Sequence, residues 1–111
     1  MKRYEMVKSH EDFNEIIKNG SKIKNKYMII FKESKNFEKP NFGIAVGKKL
    51  GNAVTRNKYK RQIRNIVDKN RFLFANNHNY IIMIKKEAKL ATFQDLEKEL
   101  INSLRKDIYE K

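Results

Sequence analysis

The sequence has 111 residues, with 26 Lys and Arg against 13 Asp and Glu, a formal charge of +13 and a mean hydropathy of −0.81. That length holds one domain of ordinary size, so residues 1–111 are read as a single unit. The absence of cysteine excludes a disulfide framework, a thiol nucleophile and a thiolate-ligated zinc site. Leu, Ile, Val and Phe supply 30 residues, about 27%, above the roughly 20% below which highly charged chains stay disordered, so a small folded core is expected. The longest apolar runs, Tyr27–Phe31 and Tyr80–Ile84, are five residues each, whereas a membrane helix needs about 20. The opening MKRYEMVKSHEDF has no apolar stretch of the kind a signal peptide carries, and the expected location is the cytoplasm, off the membrane. A charge of +13 exceeds what solubility requires and points to a polyanionic partner.

In chain order, Ser9-His10-Glu11-Asp12 has the form of a helix start, followed by Phe13, Ile16 and Ile17 on one face and a stop at Asn19-Gly20. Residues 22–33 read as extended, with Tyr27, Ile29 and Phe31 on one side and Met28, Ile30 and Lys32 on the other. Ser34–Asn41, which holds the only proline, Pro40, is a connecting loop. Phe42–Lys48 alternates Phe42, Ile44 and Val46 against Gly43, Ala45 and Gly47, a strand whose second face is small enough for something to approach closely. A helix starting within Asn52–Arg56 is expected to run to about Phe74 and to be broken by Asn76-Asn77-His78-Asn79. Tyr80–Lys85 is a last strand. Thr92-Phe93-Gln94-Asp95 opens a final helix with Phe93, Leu96, Leu100, Leu104 and Ile108 in one stripe. The order predicts a single-domain α+β sandwich, αβββαβα.

The charge is concentrated. Residues 48–71 carry Lys48, Lys49, Arg56, Lys58, Lys60, Arg61, Arg64, Lys69 and Arg71 against Asp68 alone, a net +8 that includes four of the six arginines. Projected at 100° per residue, Tyr59, Ile63, Ile66, Val67, Leu73 and Phe74 fall in one arc. Arg56, Lys60, Arg64 and Arg71 fall beside it, then Asn57 and Arg61. Such a stripe can be a merely solvated face. Yet no carboxylates are interleaved at i+4 to support it, and cations gathered on one face are the footprint of a nucleic-acid binder. Asp68 is placed to pair with Arg64 or Arg71.

The segment Gly51-Asn52-Ala53-Val54-Thr55-Arg56-Asn57-Lys58-Tyr59-Lys60-Arg61-Gln62-Ile63-Arg64 closely resembles the signature of the bacterial ribonuclease P protein subunit family, Gly-Asn-Ala-Val-x-Arg-Asn followed by x-x-Lys-Arg-x-x-Arg. Phe42–Lys49 resembles the strand that leads into it, Glu11-Asp12-Phe13 with Gly20 the first helix, and Tyr80-Ile81-Ile82 the last strand. The resemblance implies a sandwich of the ribosomal S5 domain 2 type with a left-handed β-α-β crossover. It implies that Lys48, Lys49, Asn52, Arg56, Asn57, Lys60, Arg61, Arg64 and Arg71 contact the catalytic RNA. It also implies that a cleft holding Phe13, Ile17 and Phe31 takes the 5′ leader of precursor tRNA, Ile17 standing where an aromatic is common. Aromatic faces let a single strand stack without sequence preference, while simple core burial is the other reading of these three. In this family the RNA subunit cleaves the phosphodiester with Mg²⁺ that it mainly holds itself. No organic cofactor and no protein oligomer is required, and the protein promotes 5′ maturation of tRNA.

The residues agree that the protein is not itself the catalyst. Phosphodiester hydrolysis by protein groups needs clustered carboxylates with metals or a His-based acid–base pair. His10 and His78 lie in unrelated segments, no Asp-x-Asp occurs, and Gly47 and Gly51 do not form a phosphate-binding Gly-x-x-x-x-Gly-Lys loop. Two other classes share the size and charge: a ribosomal or general RNA-binding protein, and a stand-alone endoribonuclease.

Overall fold

The computed structural model describes residues 10–34, 41–74 and 78–109. Helix α1 (His10–Asn19) is followed by strands β1 (Ser21–Lys24), β2 (Met28–Ser34) and β3 (Asn41–Val46), helix α2 (Ala53–Lys69), strand β4 (His78–Ile84) and helix α3 (Phe93–Tyr109). Single 3-10 turns stand at Lys48–Leu50, Arg71–Leu73 and Lys86–Leu90. The strands form one sheet in the order β1-β2-β4-β3. β4 is antiparallel to β2 and parallel to β3, so α2 is the crossover between two neighbouring parallel strands.

Helices cover both faces, and this explains the two apolar runs. A strand buried on both sides reads as continuous apolar sequence rather than as alternation. On one face Met28, Ile30, Phe42, Tyr80, Ile82 and Ile84 pack with Ile63, Ile66 and Val67 of α2 and Leu96, Leu100 and Leu104 of α3. Phe42, Phe74 and Tyr80 form an aromatic knot here, Phe74 meeting the other two rings edge-on at 5.1 and 5.0 Å. On the other face Phe31 and Ile81 pack with Ile16 of α1. The small face of β3 has a matching cause. A Cβ at Gly43 would lie 2.9 Å from Cε2 of Phe13, so α1 can lie this close only over glycine.

Residues 22–33 are not one strand. Asn25 Oδ1 accepts from the backbone N–H of Tyr27 and of Met28, both at 2.9 Å, which folds the segment into the β1–β2 turn. Its Nδ2 donates to Ser103 Oγ at 2.9 Å and ties that turn to α3. Tyr27 therefore sits in a turn rather than among the strand residues. The central helix also ends earlier than about Phe74. Asn70 is buried, and its Nδ2 donates to Ile66 O at 2.8 Å and to Glu97 Oε2 at 3.3 Å. This stops α2 at Lys69, and the following 3-10 turn carries Leu73 and Phe74 into the core. His78 and Asn79, expected to break the helix, begin β4 opposite Ser34 and Glu33, and Ser34 Oγ lies 3.4 Å from His78 Nε2. Residues 1–9, 35–40, with Pro40, and 75–77 lie outside the described residues. Thr92 and Asp95 form the expected reciprocal cap of α3, at 3.0 and 3.1 Å.

Candidate nucleic-acid interface

The site begins at a turn that only glycine makes easily. Gly51 has φ 135°, in the left-handed region, and reverses the chain between the Lys48–Leu50 turn and α2. Leu50 is buried and pins that turn while Lys48 and Lys49 stay exposed. Asn52 then caps α2: its Oδ1 accepts from Thr55 N–H at 3.0 Å. The side-chain oxygen of this motif residue is thus committed to the helix, a role that the motif alone does not reveal. The first turn of α2 holds no acidic residue, so the positive helix end is left uncompensated.

Along α2 the projected stripe divides into two rows. Arg56, Lys60 and Arg64 are half-buried, whereas Asn57 and Arg61 are exposed. The Nε atoms of Arg56 and Arg64 are buried and have no hydrogen-bond partner. A buried donor left unmade costs about 1–3 kcal/mol. Arg71, beyond the helix end, pairs with Asp68 at 3.7 Å, one of the two partners expected for that acid, and its guanidinium lies 5.9 Å from the Phe42 ring centre. The opposite flank of α2, with Thr55, Lys58, Tyr59 and Gln62, meets Ala91–Phe93 at the start of α3 around a cavity of about 300 Å³. Since α3 packs on β1 and α2 on β3, the arginine flank points away from α3 and overhangs the β3 edge.

The fold brings the three leader-cleft residues together in one cluster under α1, but to different depths. Phe31 is only 3% exposed and belongs to the core beneath α1, so it offers no free face for stacking. The Lys22 Nζ over its ring at 5.8 Å closes it further. Phe13 and Ile17 are half-buried at the border of that core, together with Ile29 and Met83. Ile29, Met83 and Ala45 are register partners across β2, β4 and β3, and all three are half-buried. A partly open apolar strip therefore runs across the sheet beside α1. The family resemblance placed Phe31 here, with core burial as the other reading, and its 3% exposure favours the core; Ile29 and Met83 were missed because alternation cannot tell which rows of a doubly covered strand a helix seals. Past the ends of β3 and β4 the strip gives way to a cavity of about 520 Å³ lined by Gly47, Lys48, Lys49, Leu50, Ile84, Lys85, Lys86 and Glu87.

Among the described residues no three His, Asp or Glu side chains gather into a group that could hold a metal ion, and no helix is long and apolar enough to cross a membrane. A one-domain α+β sandwich whose crossover helix hangs a nearly uncompensated cationic flank over the sheet edge is the build of a polyanion-binding domain. The chain matches the Ribonuclease P family over residues 1–107. It is 32% identical over 107 residues to the ribonuclease P protein component of Bacillus pumilus, covering 96% of this chain and 90% of the relative. It is 37% identical over 102 residues to that of Macrococcus caseolyticus, covering 90% and 87%. The RNase P protein of Thermotoga maritima superposes with a TM-score of 0.83 at 25% identity, over 92% of this chain and 96% of that one. The Staphylococcus aureus RNase P protein gives 0.82 at 30% identity, over 91% and 93%. The chain belongs to the ribonuclease P protein family: it is a protein subunit of that tRNA-processing endoribonuclease ribonucleoprotein and a partner of its RNA.

Proposed function

We propose that this subunit grips the catalytic RNA along α2 and the 5′ leader of precursor tRNA along the strip beside α1, while the RNA carries out the cleavage. Arg56, Asn57, Lys60, Arg61, Arg64 and Arg71, with Lys48 and Lys49 at the head of the helix, meet RNA phosphates. Asn52 contributes chiefly by capping the helix that presents them. The observation that carries this reading is the row of Arg56, Lys60 and Arg64 beside exposed Asn57 and Arg61, on a helix whose window holds Asp68 as its only acid. An arginine fork needs an acceptor of matching geometry, and phosphate supplies one bidentately. The leader lies over Phe13 and Ile17 and across Ile29 and Met83, then toward the lysine-lined cavity. Phe31 supports this surface from beneath. Mg²⁺, in this reading, is held mainly by the RNA subunit, where it supplies the activated water and stabilises the leaving oxygen. The protein's part is binding and orientation in the cytoplasm. Precursor-tRNA cleavage at low Mg²⁺, with protein alone, RNA alone and both, tests it. Cleavage only in the combined reaction is expected. Cleavage by the protein alone, or no stimulation of the RNA, overturns it.

A further inference from the structure

Phe72 has no place in the core or in the motif. It is 74% exposed, and among the described residues it is the one exposed aromatic in a set whose other large apolar members are Val54 and Leu90. It is also held rigidly. The 3-10 turn that carries it is closed by Leu73 N–H to Asn70 O and Phe74 N–H to Arg71 O, both at 3.0 Å. Its two successors, Leu73 and Phe74, are buried, and Asn70 before the turn is buried and bonded to Ile66 and Glu97. The backbone on either side is thus anchored, and the ring cannot fold inward without breaking the aromatic knot of Phe42, Phe74 and Tyr80.

The surroundings choose the occupant. Phe72 directly follows Arg71, three residues from Lys69, at the far end of the window that carries nine cations and one acid. An apolar protein or lipid partner would have to cover these charges, whereas a nucleic acid neutralises them and brings a π-face to the ring. We propose that Phe72 is a stacking platform for an unpaired base of the RNA that lies along α2. This rests on the RNA-binding reading above and adds a contact of different physics. The arginines bind phosphate, and Phe72 binds a base without a charge of its own. An exposed ring on a fixed turn has little motion left to lose when a base lands on it.

The test measures binding of the full-length protein to the catalytic RNA as a function of salt, for wild type, Phe72→Ala, Phe72→Leu, Phe72→Trp and Arg61→Ala. Phe72→Ala is expected to weaken binding about 5- to 150-fold, the range for one base–aromatic stack. Leu should not restore affinity and Trp should. The slope of log K against log salt should match wild type in all three, whereas Arg61→Ala should flatten it by about 0.7–0.9. Melting temperature should be unchanged in Phe72→Ala because the ring is exposed. Wild-type affinity in Phe72→Ala, or full rescue by Leu, overturns the proposal while leaving the arginine stripe intact. Failure of Arg61→Ala to weaken binding or change the slope would instead strike the RNA-binding reading on which it stands.

Discussion

At the scale of single residues, the two rings assigned to one cleft separate into different jobs. Phe31 is core, so Phe31→Ala should cost roughly 3–5 kcal/mol of stability. Corrected for the folded fraction, its ratio of precursor to mature tRNA affinity should be unchanged. Phe13 borders the open strip, and Phe13→Ala should lower that ratio by the equivalent of about 1–3 kcal/mol, one base–aromatic stack. Equal ratios in both variants would remove Phe13 from the leader track. Gly43 tests the same surface from the sheet side. The methyls of Gly43→Val would collide with the Phe13 ring, an overpacking that should cost about 1–3 kcal/mol and displace the ring from its track. A thermal melt and the same affinity ratio report the two effects; a stable variant with an unchanged ratio would show that α1 does not need this close approach.

At the scale of elements, α2 carries its stability and its binding on different atoms. Asn52→Ala removes the bond to Thr55 N–H and should cost about 0.5–2 kcal/mol of stability. Arg61→Ala removes an exposed side chain and should not lower the melting temperature while weakening RNA binding by roughly 1.5–3 kcal/mol. If Arg61→Ala lowered the melting temperature instead, its exposed placement would be wrong. Much of this helix was legible in the sequence because its signals are local: a cap, a 3.6-residue apolar arc and a stripe beside it. The helix end was not, since it depends on Asn70 reaching Glu97 of α3, 27 residues away. The β1–β2 turn was hidden in the same way, because Asn25 is held by Ser103. Periodicity put Phe31 and Ile29 on the same side of β2 but could not show that α1 buries Phe31 and leaves Ile29 partly open. The motif located the arginines, but only the fold shows that two of their Nε donors are buried and unmatched.

At the scale of the whole molecule, one charge distribution should give opposite responses to salt. The net charge is +13, and +8 of it lies in residues 48–71. In the free protein these cations repel one another, with Asp68 the only acid in that window. Screening shortens the reach of that repulsion from about 10 Å at 0.1 M salt to about 3 Å at 1 M. The melting temperature of the free subunit should therefore rise between low and high salt, most steeply at the low end. Binding to the catalytic RNA should fall over the same range. With the seven proposed cations on phosphates, log K against log salt should have a slope of about −4.9 to −6.3, at roughly 0.7–0.9 per phosphate. Replacing Arg61 and Arg64 by Ala together should weaken both trends, because the same charges produce both. The melt then starts higher at low salt, and the binding slope loses about 1.4–1.8. A double variant that flattened the binding slope but left the melt's salt dependence untouched would show that the repulsion resides elsewhere on the chain. A binding slope near zero in the wild type would show that the stripe does not meet phosphate at all.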